Sequence, residues 1–280
     1  MTDLSGRICL VTGATRGIGR ATAEALAKMG AQVLIHGRDS ASVGAVCREM
    51  VRYGQVTGVV GDLSSLAAVR RLAKDVAAQH PRLDVLVNNA GTGSLRRETT
   101  ADGFERQFAV NHLAPFLLTN LLLERLKASS AARVVTVSSM AHRSGKLDFD
   151  DLNWERRKYS GLQAYSASKL ANILFTIELA RRLSGSRVTA NCLHPGVVAT
   201  NIFSTMGFGG RLLTVLFRPF MLSPAKGALT SVYLASSPEV ANVTGKFFDK
   251  CREAATAPAA QDADAARRLW EISERLAGLE

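Results

Sequence analysis

Cysteine is scarce in this chain, and its spacing argues against two classes of protein. Zinc sites usually place cysteines in closely spaced pairs, and small disulfide-stabilised domains are far richer in cysteine. Among 280 residues there are only four cysteines, none in a CxxC pair. We therefore expect no metal site and no disulfide framework, and we interpret these residues as small apolar groups of the interior: Cys9, Cys47, Cys192 and Cys251.

The chain also lacks any long apolar run. It contains no stretch of 18 consecutive apolar residues, which is about the length needed to cross a bilayer. The first residues, MTDLSGRICLVTG, carry an early Asp and enter a strand-like run at once. A secretory signal has instead a basic start followed by a longer apolar region. We therefore expect a cytoplasmic protein.

Basic runs with interleaved aromatic residues are missing as well. The formal net charge is +11, from 35 basic and 24 acidic residues, yet aromatics make up only 6% of the chain. The basic residues stand in short, dispersed clusters such as Arg70-Arg71 and Arg181-Arg182, which is typical of solvated helix faces. This pattern does not favour nucleic-acid binding. The positive charge suits a phosphorylated cofactor or another anionic partner.

What the chain does contain is a regular alternation of strand-like and helical patterns. The strands are short and apolar, as in a parallel sheet covered by helices on both faces. Repeated βα units predict an α/β fold, a Rossmann-type doubly wound parallel sheet flanked by helices, in one domain over residues 1–280. The strand-like runs are 7–12, 31–37, 56–62, 83–89, 133–139, 186–196 and 245–250. The helical runs are 18–29, 40–53, 64–79, 103–127 and 162–183, with a last helix after the loop 256–262.

Two of the helical stretches, 112–126 and 169–180, are apolar on nearly every side. A helix on the surface of a globular protein should show a polar face. We therefore expect these helices to be covered by the sheet on one side and by a partner subunit on the other, in a homodimer or homotetramer. The alternative is that loops of the same chain cover them.

The segment TGATRGIG, at 12–19, follows the first strand and opens the first helix. Glycines allow tight turns and close approach of the backbone to phosphate, and a helix N-terminus offers unpaired N–H groups. The spacing is GxxxGxG rather than GxGxxG, and any strand–turn–helix junction can carry glycines. Its place in a βαβ unit favours a dinucleotide site. We expect cofactor contacts from Gly13, Thr15, Arg16, Gly17, Ile18 and Gly19.

The end of the second strand bears on the choice of dinucleotide. NAD-dependent proteins of this architecture usually carry Asp or Glu there, to hold the ribose 2′-hydroxyl. Here the strand ends LIHGRD, with His36-Gly37 at its end and Arg38 next. Guanidinium groups of Arg16 and Arg38 would pair with a 2′-phosphate. We therefore predict NADP(H) over NAD(H), and we interpret Asp39 as a turn or helix cap.

Two further strand ends are candidates for the cofactor groove. Asp62-Leu63 ends the third strand, where the carboxylate could accept the adenine amino group or cap the next helix. NNAG, at 88–91, ends the fourth strand. Its asparagines and the backbone of its last two residues would line the groove, unless the motif is an ordinary turn. The residues expected at the cofactor here are Asp62, Leu63, Asn88, Asn89, Ala90 and Gly91.

The segment YSASK places Tyr165 and Lys169 four residues apart, on one face of a helix. A free phenol is a poor base at neutral pH. A nearby ammonium and a cationic nicotinamide ring would lower the pKa of the phenol. Tyr165 would then exchange a proton with an alcohol or carbonyl group, and Lys169 would also hold ribose hydroxyls. Taken alone, YxxxK occurs by chance on many helices.

TGxxxGxG, NNAG, FAVNH, VTVSS, YSASK and HPG occur in this order, and together they resemble the short-chain dehydrogenase/reductase family over essentially the whole chain. The resemblance implies a catalytic tetrad of Asn111, Ser139, Tyr165 and Lys169. Ser139 would stabilise charge on the substrate oxygen, while Asn111 would hold a water that links Lys169 to solvent. Ser138 would bond only neighbouring backbone. The resemblance also implies cofactor contacts from Pro195, Gly196, Val198 and Thr200.

The interval of 26 residues between Ser139 and Tyr165 is about twice the usual one in that family. The longer interval, with VSSMAH and DLNWERRKYSGLQAYSASKLAN, is similar to the retinol dehydrogenase-like branch. That branch implies retinoids or other lipophilic aldehydes and ketones as substrates. Residues 201–223 are rich in large apolar groups and glycines, which favours a lid over such a substrate.

Three alternatives stay open at this point. The segment 201–223 could be core packing, an oligomer contact or, through Arg211 and Arg218, a peripheral membrane contact. The same fold could also serve as a non-catalytic NADP-sensing protein, although Tyr165, Lys169 and Ser139 are all present. The leading hypothesis is an NADP(H)-dependent oxidoreductase acting on a small lipophilic alcohol or carbonyl compound.

Overall fold

One eight-stranded sheet organises the molecule. The structure, a computed structural model, describes residues 2–196 and 222–279. The strand order is β3-β2-β1-β4-β5-β6-β7-β8, parallel from β3 to β7, with β8 antiparallel to β7. The predicted single α/β domain with a doubly wound parallel sheet is therefore confirmed. The strands are β1 Ile8–Val11, β2 Gln32–Gly37, β3 Val56–Val60, β4 Val85–Asn88, β5 Ala132–Val137, β6 Val188–His194, β7 Phe247–Asp249 and β8 Arg252–Glu253.

Helices cover both faces of this sheet because its central strands are apolar on both sides. Leu10, Leu34 and Leu86 pack in the core on one face, while Val11 and Ile35 pack in the core on the other. The helices are α1 Gly17–Lys28, α2 Ser40–Met50, α3 Leu66–Gln79, α4 Arg106–Phe108, α5 Ala114–Leu121, α6 Leu123–Lys127, α7 Gly161–Arg182, α8 Pro224–Ser236 and α9 Ala263–Ala277.

The predicted helix 103–127 is interrupted. Residues Ala109–Leu113 form a π-helical turn between α4 and α5. Pro115 follows this turn, in the first turn of α5, and its missing N–H removes a helical hydrogen bond to the turn before it. A π-helical turn inside an α-helix often marks a functional position, and here it carries Asn111.

The last helix explains why α5 and α7 are so apolar. Trp270 of α9 packs edge-on against Phe116 of α5, with ring centroids 4.9 Å apart, and stacks on Phe175 of α7 at 5.9 Å. Nε2 of His112 lies 2.8 Å from the Ser273 hydroxyl. The two helices are thus covered within the chain by helix α9, rather than by a partner subunit or by loops. The homo-oligomer stays a prediction, but the apolar character of these two helices no longer supports it.

Two elements escaped the sequence analysis. Strand β8 has only two residues and follows Lys250 and Cys251, whose φ angles of 50° and 61° make a tight left-handed turn. Helix α8 begins with a Ser223 cap and Pro224, directly after the apolar segment 201–223 that was interpreted as a lid. Within residues 2–196 and 222–279 no helix is long and apolar enough to span a bilayer.

Candidate active site

The motifs meet at the carboxyl edge of the sheet. The glycine loop follows β1, NNAG ends β4, Ser139 follows β5 and Pro195 follows β6. Strands β1 and β4 are neighbours, although the chain leaves β1 toward β2 and returns at β4. Ligands of open parallel sheets bind at such a reversal of strand order. Parallel pairing therefore brings together motifs that are spread from residue 12 to residue 196 of the sequence.

Asn89 holds the glycine loop in place through hydrogen bonds to Thr12. Its Nδ2 donates to Thr12 O at 2.8 Å, and its backbone N–H donates to Thr12 Oγ1 at 2.9 Å. The backbone N–H of Ala90 donates to the same hydroxyl at 3.0 Å. Asn88 points elsewhere, since its Nδ2 donates to Thr119 Oγ1 at 3.0 Å. Its side chain is buried against α5 and does not line the groove as expected.

Glycine is required in this loop for two different reasons. Gly13 and Gly17 have φ angles of 63° and 58°, which side chains rarely adopt. At Gly19 a Cβ atom would lie 2.3 Å from Asn89 Nδ2 and 2.4 Å from Gly13 O. At Gly17 a Cβ atom would meet nothing within 4 Å. The backbone is therefore packed tightly on the protein side and open where a ligand would approach.

The N-terminus of α1 fits a phosphate group. Its cap position, Arg16, makes no side-chain hydrogen bond to the first turn. Helices α2, α3 and α7, by contrast, are capped by the side chains of Asp39, Ser65 and Ser160. The first N–H groups of α1 are thus left for a ligand, and the helix dipole favours a negative charge there. Arg16 and Ile18 stand beside this end, with Arg16 exposed.

Gly37 is the last residue of β2, and Thr15 packs against it so closely that no side chain fits there. A Cβ atom on Gly37 would lie 2.5 Å from Thr15 Cγ2. Arg38 is exposed next to it. Asp39 is engaged by the fold, since its carboxylate accepts the N–H of Ser42 at 2.8 Å as the cap of α2. The interpretation of Asp39 as a cap is confirmed.

Asp62 makes a local turn at the end of β3. Its Oδ1 accepts the N–H of Ser64 at 2.9 Å, while Ser65 is the residue that caps α3. That hydrogen bond and the charge of Arg38 outweigh desolvation, so the pKa of the Asp62 carboxyl lies below its usual value. Leu63 is buried in the core. Asp62 is exposed at the cofactor edge, and its contact with adenine stays a prediction.

Asn111 is fully buried and joins three parts of the site. Its Oδ1 accepts the N–H of Thr92 at 2.7 Å, and its Nδ2 donates to Thr92 O at 3.0 Å and to Ser168 Oγ at 2.9 Å. Ser168 in turn donates to the backbone oxygen of Tyr165 at 2.7 Å. A Cβ atom on Gly91 would lie 3.3 Å from Asn111 Oδ1 and 3.5 Å from Lys169 Nζ. The π-helical turn thus connects NNAG to the YSASK helix.

The two serines after β5 have different partners, and Ser138 bonds the backbone of α7 rather than neighbouring backbone as expected. Ser138 is buried and donates to Lys169 O at 2.7 Å, which fixes β5 to α7. Ser139 caps a short 3-10 turn, Met140–Ser144, where its hydroxyl accepts the N–H of Ala141 at 3.2 Å, and the same hydroxyl is near enough to the Tyr165 phenol to lower the pKa of that phenol. Lys169 Nζ donates to Val137 O at 3.1 Å and lies 5.6 Å from the centre of the Tyr165 ring. Ser139, Tyr165, Lys169 and Asn111 are thus brought into one cluster.

In the protein without its cofactor, the pKa of Tyr165 is raised. Burial raises it to about 12, and the hydrogen bond with Ser139 offsets only part of this rise. Burial also lowers the pKa of Lys169 to about 8, because desolvation disfavours the charged ammonium form. In the protein alone Tyr165 is therefore a neutral phenol at pH 7, which is a proton donor rather than a base.

The loop after β6 is described only in part. Gly196 has a φ angle of 83°, and a Cβ atom on it would lie 2.5 Å from Leu222 Cδ1. Pro195 precedes it, directly after His194, whose Nδ1 accepts the N–H of Met140 at 3.4 Å. Val198 and Thr200 lie outside the described residues, and so does the proposed lid 201–223 except for Leu222 and Ser223.

Comparison with known proteins identifies the family. The model of the short chain dehydrogenase family matches residues 7–207. The chain is 46% identical to human retinol dehydrogenase 13 over 99% of this chain and 86% of that protein. It is also 46% identical to human retinol dehydrogenase 14, over 99% and 88%. This chain belongs to the short-chain dehydrogenase family.

Solved structures agree with this assignment. The short-chain dehydrogenase superposes on an uncharacterized protein from Mycobacterium paratuberculosis with a TM-score of 0.83 and 39% identity, over 99% of this chain and 96% of that one. The Pseudomonas aeruginosa RhlG/NADP active-site complex gives a TM-score of 0.70 and 30% identity, over 88% and 95%. The predicted resemblance to the family and to its retinol dehydrogenase-like branch is confirmed, and with it an oxidoreductase that uses a nicotinamide cofactor.

The long interval between Ser139 and Tyr165 packs against the start of α4 in this short-chain dehydrogenase. Asn153 Oδ1 accepts the N–H of Glu105 at 3.0 Å, and the Tyr159 hydroxyl donates to Glu105 Oε1 at 3.0 Å. Arg157 stacks on Trp154, with 3.8 Å from its guanidinium carbon to the ring centre. These contacts tie the extra segment to the start of α4, beside the turn that carries Asn111.

Sequence reasoning missed His142, which is buried directly behind Ser139. Its Nε2 accepts the N–H of Ala257 at 3.2 Å, so its Nδ1 carries the proton and donates to Ser139 O at 2.7 Å. Burial lowers the pKa of this imidazole and keeps it neutral. His142 stood within the quoted VSSMAH motif, but nothing in the sequence shows that residues near 257 pack against it.

Proposed function

We propose that this short-chain dehydrogenase transfers hydride between NADP(H) and a lipophilic alcohol or carbonyl compound, with Tyr165 as the acid or base. The observation that carries the proposal is the cluster of Asn111, Ser139, Tyr165 and Lys169 at the sheet edge, next to an uncapped glycine-rich helix start. When bound, the nicotinamide supplies or accepts the hydride. The chain's own residues would bind the substrate oxygen and move its proton.

Each member of the tetrad has a role that its contacts support. The hydroxyls of Ser139 and Tyr165 are close enough to interact and could both donate to a carbonyl oxygen. Since Tyr165 is a neutral phenol at pH 7, its proton is available to the oxygen in the direction of carbonyl reduction. Lys169 is buried beside the tyrosine ring. Asn111 fixes the backbone of Thr92 and, through Ser168, that of Tyr165.

Two exposed leucines near the start of α7 favour a lipophilic substrate, and we interpret them as an apolar entrance. Leu95 and Leu162 are 48% and 58% exposed. The backbone of Leu95 lies against Gly161, the residue before Leu162, since a Cβ atom on Gly161 would be 2.6 Å from the Cα of Leu95. Both flank the start of α7, the helix that carries Tyr165. The apolar sequence of 201–223 would add a lid over this entrance, and its membrane contact stays a prediction that liposome flotation would test.

A panel of carbonyl compounds and alcohols, retinal included, tests the function through NADPH absorbance. We expect apolar aldehydes or ketones to be reduced faster than short polar ones, because the entrance is apolar. Chromatography of the products would confirm the alcohol. Tight NADPH binding with no consumption across the panel would contradict the proposal and favour the NADP-sensing alternative.

Arg38 should decide the cofactor preference. Asp39 is committed to capping α2, and Arg38 is exposed beside the end of β2, which favours a 2′-phosphate over a 2′-hydroxyl. We expect Arg38→Ala to lower kcat/KM for NADPH by about 10- to 100-fold, the value of a lost charge-assisted hydrogen bond. The same constant for NADH should change little.

Arg48→Ala is the matched control, because Arg48 is exposed near the other end of α2. It should leave both constants unchanged. A wild-type protein that clearly prefers NADH, or an Arg38→Ala variant that loses both cofactors equally, would overturn the assignment of NADP(H).

A further inference from the structure

A single buried imidazole connects the three strand ends that surround the glycine loop. His36 lies in β2 and is 2% exposed. Its Nδ1 is 3.1 Å from the backbone N of Gly13, after β1, and its Nε2 is 2.9 Å from Gly61 O, after β3. The backbone oxygen of His36 also accepts the N–H of Ala14 at 2.8 Å. Two consecutive amides of the loop are therefore held by one residue.

Geometry alone fixes the form of this imidazole. A backbone N–H can only donate, so Nδ1 must be the acceptor from Gly13. The proton then lies on Nε2, which donates to Gly61 O. A protonated ring would place an N–H against the Gly13 N–H and break this link. Burial lowers the pKa of His36 to about 4, although the nearby Asp62 carboxylate opposes the shift.

We propose that His36 is a positioning residue of the cofactor site, which holds the glycine loop in its binding geometry through its Nδ1 acceptor. Gly13 is held on its other side by NNAG, since a Cβ atom on it would lie 3.0 Å from Ala90 Cα. His36 and Ala90 thus confine the first turn of the loop between them. The inference goes beyond the proposed reaction and depends only on binding of the dinucleotide.

Three substitutions separate this role from simple packing. Asn places an amide oxygen near the position of Nδ1 and keeps the acceptor for Gly13. Gln places an amide nitrogen near Nε2 and keeps only the donor to Gly61. Leu keeps apolar volume and removes both links. His80→Leu is the control, because His80 is also buried but lies at the end of α3, at the opposite edge of the sheet.

The measurement is the Kd of the purified protein for NADPH and for NADH, from fluorescence titration, with no substrate present. We expect His36→Leu and His36→Gln to bind both cofactors about tenfold more weakly, because the Gly13 N–H loses its acceptor. His36→Asn should stay within about threefold of the wild type, and His80→Leu should not change the Kd. Equal losses for NADPH and NADH separate this role from that of Arg38.

Circular dichroism and urea unfolding would show that each variant is folded at the assay temperature. A folded His36→Leu variant with wild-type affinity would overturn the proposal. If that variant does not fold, the comparison of Asn with Gln decides, and equal affinities for those two would overturn it as well. Loss of activity in the carbonyl panel would leave this test untouched, because it reads binding alone.

Discussion

Replacing Tyr165 by Phe should lower kcat for carbonyl reduction by about 10³-fold, within the usual range for loss of a positioned acid. The Tyr165 phenol interacts with Ser139 and holds a transferable proton at neutral pH. Phe keeps the ring and its packing on α7, so the Kd for NADPH should change by less than about threefold. Steady-state assays with the best carbonyl substrate, together with fluorescence titration of NADPH, would measure both quantities.

Tyr233→Phe is the matched control for this experiment. Tyr233 lies on α8, and its hydroxyl donates to Glu239 Oε2 at 3.0 Å, outside the site. Its loss should leave kcat and KM as in the wild type. A Tyr165→Phe protein that keeps more than about a tenth of the turnover would show that another group supplies the proton.

Gly19→Ala should abolish most cofactor binding, with a loss of affinity on the order of 100-fold. The added methyl would lie 2.4 Å from Gly13 O, a backbone atom, and 2.3 Å from Asn89 Nδ2. That amide is itself bonded to Thr12 O at 2.8 Å, so neither neighbour can move without opening the loop. Titration with NADPH would measure the loss, and thermal unfolding would record a lower Tm from the overpacking.

Gly44→Ala provides the contrast. Gly44 is inside α2, where the nearest atom to an added methyl is Arg48 Nη1 at 3.5 Å. Alanine favours a helix, so the free energy of unfolding should rise by about 0.5–1 kcal/mol while NADPH binding stays the same. If Gly19→Ala bound NADPH as tightly as Gly44→Ala, the close packing described for the loop would be wrong.

The pKa values of Tyr165 and Lys169 could not be predicted from the sequence. The i, i+4 spacing predicts that Tyr165 and Lys169 share a helix face, and the structure places the ammonium 5.6 Å from the ring centre. The spacing does not reveal that both groups are desolvated. Burial raises the pKa of Tyr165 to about 12 and lowers that of Lys169 to about 8. In the protein alone, burial therefore opposes the lowering of the Tyr165 pKa that the sequence predicts for the site with the cationic nicotinamide bound.

The apolar helices make the same point at the level of packing. Periodicity predicted correctly that residues 112–126 and 169–180 would be buried on more than one side. It could not say by what, because the covering residue Trp270 is 90 residues beyond the end of the second stretch at 180, outside the range of any local pattern. In the structure α9 takes the place assigned to a partner subunit.

Local patterns were sufficient for most of the alternation of strands and helices, except β8 and α8, and for the glycine loop and the family motifs. Periodicity, turn preference and the conformational freedom of glycine all act over a few residues. Only the tertiary structure decided that Asn89 braces the loop while Asn88 faces α5, that His36 joins three strand ends, and that His142 supports Ser139. Those contacts depend on which strand ends become neighbours in the sheet and on what burial does to charge, and both are settled only when distant segments pack together.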